Sequence, residues 1–553
     1  MIVLALLSTL GLNVYTLAQI VRARTSVPWA DQWAMLLDLA RHEHGESLWS
    51  IVWPPYWGHR LVIPRLLFFA DGRWLSLKSL TWLTMVLQFV HVALLIALAW
   101  LLLKRKPAVL FLIAATVILN LMFSPFQMEN FVWGMQTMFP LVFLAATGAF
   151  LCLPQGSRGF PWAIALGLIS AFTMPNGILI WPVLVLQSLY LKQSRKVTAA
   201  LAMVGSVVIV SYLWHYERPL ELGMGVVGML RHPIDAILLL GLIVGAPFRL
   251  PIFAGAIVGT AALVITGYVF IRALLSRIED RKWFSALFAI IVFLLLSSLS
   301  IVAGRLSPVD LHRPGRDFLP GRHFTMICLI WTVIALLALA TSQRQTWVLA
   351  IYGILFAGLM FGDLTVQLTE AEDWADFFLA TDAVGSAFLL DAPDEQLLSV
   401  LWLSKPERDE RVQFMRGHRL AVFHEPRATW PGKRVSELFS PSPDRCEGAI
   451  EKMVDLDGSS WRVTGWAWDT SASRPPDDIL LTDADGRITG LARGGLRHGY
   501  FPVFLVEPQP QPAHSRFRHS EWLGYVRKTA GTSWEDVRLY GLFRRERKVC
   551  AIQ

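Results

Sequence analysis

Charge is scarce in this chain: 17% of its 553 residues are Asp, Glu, Lys or Arg, against 54% hydrophobic residues. With a mean hydropathy of +0.48, that shortage excludes an ordinary soluble protein, and apolar runs near twenty residues long recur along the chain, the mark of a polytopic helical membrane protein. Cysteine is scarce too, at four residues, with no CxxC pair to make a redox motif or a zinc ribbon. No HExxH and no Gly-rich phosphate loop occurs, which excludes a zincin site and P-loop nucleotide chemistry. Residues 2–20 lack a basic n-region before them and a small-residue cleavage site after them, so they read as a retained first span or signal anchor. The formal charge of +8 does not indicate nucleic acid. Lys and Arg sit in short clusters between apolar runs, as the positive-inside bias requires, and the excess reads as topology.

Spans are expected at about 2–21, 80–103, 107–123, 137–153, 160–173, 178–191, 198–215, 251–274, 284–303, 324–341 and 346–362. Lys104-Arg105-Lys106 and the Lys192–Lys196 cluster mark the cytoplasmic side, four crossings apart. The stretch 233–248 is short and broken by Gly245, Pro247 and Arg249, so it reads as re-entrant or interfacial. About eleven transmembrane helices result, with the N-terminus inside and the C-terminus outside. The loops 22–78, 125–136, 174–177, 217–232 and 305–322 then share the outer face. The expected organisation is a multi-span membrane domain over 1–363, a mixed helical connector over 364–440, and a small C-terminal antiparallel β domain over 441–553, sandwich-like, whose short alternating runs are divided by D-G and Pro-rich turns. Cys446 falls on the first strand of that domain and Cys550 on its last. They can pair if the domain lies outside the cytoplasm, closing a loop worth about 4 kcal/mol in the chain-entropy account.

Ionisable groups concentrate in the first outer loop. Asp31 follows a span closely, between Trp29 and Trp33, and two readings of it stand: a helix N-cap, or a carboxylate near the bilayer surface that accepts a proton. In H-E-H-G-E, His42 and His44 would point about 200° apart on a helix, so no metal centre is expected, although a divalent cation held weakly by Glu43 stays open. His59, Arg60 and Arg65 gain weight from a second outer loop carrying Arg305, His312, Arg313, Arg316, Arg322 and His323. Arginine suits bidentate phosphate binding, and outer-side arginines run against the positive-inside bias. Glu129 and Asn130, beside Trp133 and Gln136, and Asn176 in the break between two apolar runs, either satisfy freed backbone groups or face a cavity. Trp461, Trp466 and Trp468 read as strand-core residues of the β domain.

A first outer loop with an Asp just after span one, the later H-R and R-L-L, the E-N-F-V-W-G-M-Q and P-N-G-I-L-I-W-P segments, and G-R-H before a span together resemble the bacterial integral-membrane glycosyltransferases of the GT-C superfamily, over about residues 1–360. The resemblance implies an inner-membrane enzyme that takes a sugar from a polyprenyl-phosphate carrier and passes it, usually with inversion, to a glycan or lipid acceptor of the cell envelope on the periplasmic face. It makes Asp31 the candidate base. Arg60, Arg65 and Arg322 become candidates for the carrier phosphate, joined by His59 and Arg316 from the residues alone, and Glu129 and Asn176 for the sugar or acceptor pocket. Two other functions remain open from the sequence: a flippase or transporter of lipid-linked glycans, and a polymerase or ligase joining preassembled glycans.

Overall fold

The computed structural model describes residues 2–216, 225–275, 280–305, 321–341, 353, 358, 364–401, 403–442, 446–497, 517–528 and 534–552. Two compact units result: Met1–Ala18, Glu46–Leu67 and Leu80–Ala371 form the first, and Gln19–Gly45, Phe68–Ser79 and Glu372–Gln553 the second.

The first unit is helical. Among the described residues, eight helices are long and apolar enough to cross a membrane: Val3–Arg22, Leu80–Leu103, Ala108–Val132, Gly134–Arg158, Arg195–Leu213, Ile252–Leu275, Arg281–Arg305 and Gly321–Thr341. The expected count of about eleven is not confirmed among the described residues. Phe160–Ala171 and Ile180–Tyr190 have 12 and 11 residues, and at 1.5 Å per residue such helices extend about 17–18 Å, little more than half of a hydrocarbon core. They turn on Gly177, where a Cβ would lie 1.8 Å from the Ser170 carbonyl oxygen. The expected span 346–362 lies outside the described residues. These features are compatible with a multi-pass membrane protein.

The Leu80–Leu103 helix illustrates the patterning. Val86, Phe89 and Val90 are exposed along one stripe, with exposed Trp82 and Trp100 near its ends. Eighteen residues of helix separate the two indoles by about 27 Å, the spacing of two aromatic belts across a bilayer core. The opposite stripe is fully buried and polar: Thr84 meets the Thr137 hydroxyl at 2.5 Å, Gln88 donates to the Met122 carbonyl, and His91 lies 3.1 Å from Thr147 Oγ1.

The Pro233–Phe248 segment is bent by 109° from Gly225–Arg231 and packs antiparallel on Ile252–Leu275 through two glycine pairs. A Cβ on Gly259 would lie 1.8 Å from the Gly241 carbonyl oxygen, and one on Gly245 would lie 2.0 Å from that of Gly255. The segments G-L-I-V-G and G-A-I-V-G thus bring backbone against backbone, the small-residue packing that replaces the hydrophobic effect between helices in lipid.

The second unit carries one eight-stranded sheet: β1 Ser440–Pro441, β2 Cys446–Leu456, β3 Ser460–Asp469, β4 Asp478–Thr482, β5 Ile488–Leu496, β6 Glu521–Arg527, β7 Arg538–Phe543 and β8 Lys548–Ala551. Their order is β1-β8-β7-β4-β5-β6-β3-β2, antiparallel except for the β1–β8 pair. Where two packed layers were expected there is a single sheet rolled into a half-barrel, whose edge strand β2 returns to bridge Ile552 just past β8 through Cys446. The buried Cys446–Cys550 disulfide joins the same ends, Cα to Cα 5.7 Å. Strand period 2 also separates the tryptophans: Trp461 packs on the core of Val463, Ala467, Ile479, Leu481 and Trp522, whereas Trp466 and Trp468 take the other face, Trp468 stacked on Phe517 at 4.7 Å.

Replacing Gly259 by Leu forces the two helices apart. A loss of about 1–3 kcal/mol is expected from overpacking, read as a lowered midpoint in thermal unfolding of the detergent-solubilised chain, while Gly267→Leu, at a position with open space around it, leaves the midpoint unchanged.

Candidate functional site

The helix that begins at Ala108 stops at Met122 because Ser124-Pro125 follows: Pro125 supplies no N–H, and Ser124 Oγ caps the Phe126 amide at 3.4 Å. A buried chain of short turns follows, Pro125–Gln127, Met128–Val132 and Gly134–Thr137. It carries Glu129 and Asn130 against the Gly321–His323 turn that opens the Phe324–Thr341 helix.

Two side chains hold the Arg322 backbone from both directions. Glu129 Oε2 accepts from the Arg322 N–H at 2.9 Å. Asn130 Nδ2 donates to the Arg322 carbonyl at 2.9 Å and to Thr325 Oγ1 at 2.8 Å. Gly321 permits this approach, since a Cβ there would lie 2.6 Å from Glu129 Oε2. The partly exposed Arg322 guanidinium makes no hydrogen bond or ion pair among the described residues, and its charge reaches both His59 and Glu129. Nearby, Arg249 lies over the Phe126 and Phe324 rings at 4.7 and 5.3 Å and is ion-paired to Glu370.

Beside this turn, Asn130 Oδ1, His59 Nδ1 and His323 Nε2 are sealed from solvent without a hydrogen-bond partner among the described residues, as are both ends of the Gln136 amide and Asn176 Oδ1 elsewhere in the first unit. His323 faces the Phe139 ring at 6.0 Å, and Asn176 Nδ2 reaches Ser297 Oγ at 3.2 Å. Sealed groups of this kind are rare in native proteins, because each forfeits about 1–3 kcal/mol of hydration.

The other expected residues fare differently. Arg60 is 2% exposed and donates to the carbonyls of Tyr212 at 2.6 Å, Trp53 at 2.8 Å and Trp214, with its plane over the Trp53 ring. It ties the segment after the first long helix to the end of the Arg195–Leu213 helix, satisfying carbonyls left open there. Arg65 Nη1 is shared between the carbonyls of Ile51 at 2.8 Å and Pro54 at 2.9 Å. Asp31 belongs to the second unit. It occupies the N-cap position of Gln32–Glu43 in helical conformation, yet its carboxylate makes no capping hydrogen bond. Arg316, His312 and Arg313 lie outside the described residues. Among the described residues, no group of three or more His, Cys, Asp or Glu is arranged to hold a metal ion; His42 packs on Phe69 and His44 Nδ1 lies 2.7 Å from the Ala40 carbonyl.

Sequence reasoning left three contributors out of the site: Gly321, whose missing Cβ admits Glu129, and the Arg249–Glu370 pair. The polar triplet G-R-H at a span end was the available signal for Gly321; Arg249 and Glu370 are 121 residues apart and carried none. No family model matches the chain, and no curated protein or solved structure is significantly similar to it.

Burial holds the His59 imidazole below its ordinary value of 6.5, with Arg322 acting in the same direction against a Gly58 hydrogen bond. A lowered folded-state value means that the unfolded chain takes up the proton first. Stability from this residue is therefore complete above pH 6.5 and falls as the pH drops below it. Unfolding midpoints measured from pH 7.5 to 5 should decline more steeply for the native chain than for His59→Gln.

Proposed function

We propose that the chain is an integral-membrane glycosyltransferase of GT-C type, with about eleven crossings, that transfers a sugar from a polyprenyl-phosphate carrier to a glycan or lipid of the bacterial cell envelope. Transfer takes place on the periplasmic face of the cytoplasmic membrane, with inversion at the anomeric carbon. In the family that the chain resembles a first-loop carboxylate takes the acceptor's proton, and by that resemblance Asp31 is the first candidate for the role.

The observation that carries this reading is the Arg322 guanidinium, without a partner among the described residues, on a backbone gripped by Glu129 and Asn130, with Asn130 Oδ1 and His323 Nε2 sealed beside it. Amides that both donate and accept suit sugar hydroxyls, and arginine suits the phosphate that leaves. A second observation fits a lipid-borne donor. On the Arg195–Leu213 helix, Ser206, Val207, Val210 and Ser211 line an open apolar groove of about 460 Å³ with Trp53 and Trp214, a surface of the chemistry that an isoprenoid chain would lie against. The buried disulfide supports an outer location for the second unit, because such bonds persist in oxidising compartments.

The test is transfer by the full chain in lipid nanodiscs from a panel of radiolabelled polyprenyl-phosphate sugars to envelope acceptors. Label should move from one donor class, and Arg322→Ala should lower kcat/KM by about 100-fold, as loss of one charge-stabilising donor does. Absence of transfer from every donor removes the reading. Topology is checked separately: in intact cells, a membrane-impermeant protease should reach the C-terminal domain only after the outer membrane is opened.

A further inference from the structure

Glu129 differs from every other carboxylate described at the site in how its two oxygens are used. Oε2 is fixed by the Arg322 N–H. Oε1 has no hydrogen-bond partner among the described residues, and unlike the sealed atoms around it, it still reaches open space, although the residue as a whole is 6% exposed. The carboxylate is therefore oriented on one side and available on the other. The same contact sets the backbone from which the Arg322 guanidinium extends, so an anion and a cation are held in one local structure. Glu370, the other acid near it, is paired to Arg249.

Resting on the transferase reading, we propose that Glu129, rather than Asp31, is the group that takes the acceptor's proton. The acceptor hydroxyl oxygen forms a bond to the anomeric carbon as the bond from that carbon to the carrier phosphate oxygen breaks. The electron pair leaves with the polyprenyl phosphate beside Arg322, and the hydroxyl proton passes to Glu129 Oε1. Gly321 is a positioning residue in this step: any side chain there pushes the carboxylate off its backbone anchor.

Glu129→Gln is an informative substitution because its amide oxygen still accepts from the Arg322 N–H, so the turn is preserved. In the nanodisc assay its kcat should fall by about 10²–10⁴-fold, the range for removal of a general base, with donor affinity, measured by equilibrium binding of the labelled carrier, within threefold of the native chain. Glu129→Ala should regain part of the lost rate in formate, a small carboxylate that can occupy the vacated space. Gly321→Ala should lower kcat. If the native chain transfers sugar while Glu129→Gln keeps its rate, or loses activity only through weaker donor binding, the role assigned to Glu129 is wrong and the transferase reading stands. If Asp31→Asn abolishes turnover while formate fails to restore Glu129→Ala, the proton acceptor is Asp31. A native chain inactive with every donor overturns both.

Discussion

The grip of Glu129 and Asn130 on the Arg322 peptide is the contact on which the described site depends. It joins two span ends that lie almost two hundred residues apart in sequence, and it does so through backbone atoms, so the Arg322 side chain is left over for other work. In an apolar surrounding such a contact is strong, since no water competes for the donors and acceptors. The same low dielectric makes the neighbouring unpartnered amides costly. Gln136 and Asn130 are both completely buried.

The second unit meets the same constraint with ions. Asp382, on the Leu364–Leu390 helix, receives Arg427 at 2.6 Å and Arg493 at 3.3 Å, while Asp478 receives Arg544 and Arg493, and Glu425 receives Arg427. Three arginines and three carboxylates balance. Asp394 likewise takes Arg462 at 2.9 Å and the Tyr525 hydroxyl at 2.9 Å. Buried pairs of this sort add little net stability but penalise every arrangement that leaves a charge alone. They fix the sheet on this helix in one register, and the Cys446–Cys550 bond closes the roll of the sheet.

Arginine shows why residue type alone did not define the site. Arg60, Arg65 and Arg322 read alike in the sequence, as outer-face cations suited to phosphate. Tertiary packing gives Arg60 three carbonyls and Arg65 Nη1 a share of two more, whereas the Arg322 guanidinium receives none among the described residues. The difference lies in which helix ends pass nearby, and a one-dimensional pattern holds no information about that. Glu129 and Asn130 were legible as polar residues at a break, but not that they grip one peptide.

Length and hydropathy were enough for the class: apolar runs between basic clusters make membrane-crossing helices because backbone groups in lipid must be satisfied within the segment. Alternation and turn residues likewise gave a C-terminal β domain, with Cys446 on its first long strand and Cys550 on its last. Only the tertiary structure showed that the runs at 160–171 and 180–190 form regular α-helices of 12 and 11 residues, that the sheet is one rolled layer, and that Trp461 faces away from Trp466 and Trp468. Local periodicity sets what each segment can be, because it depends on neighbours three or four residues away. Which polar atoms end up without partners depends on contacts between residues hundreds of positions apart, and these exist only once the chain has folded.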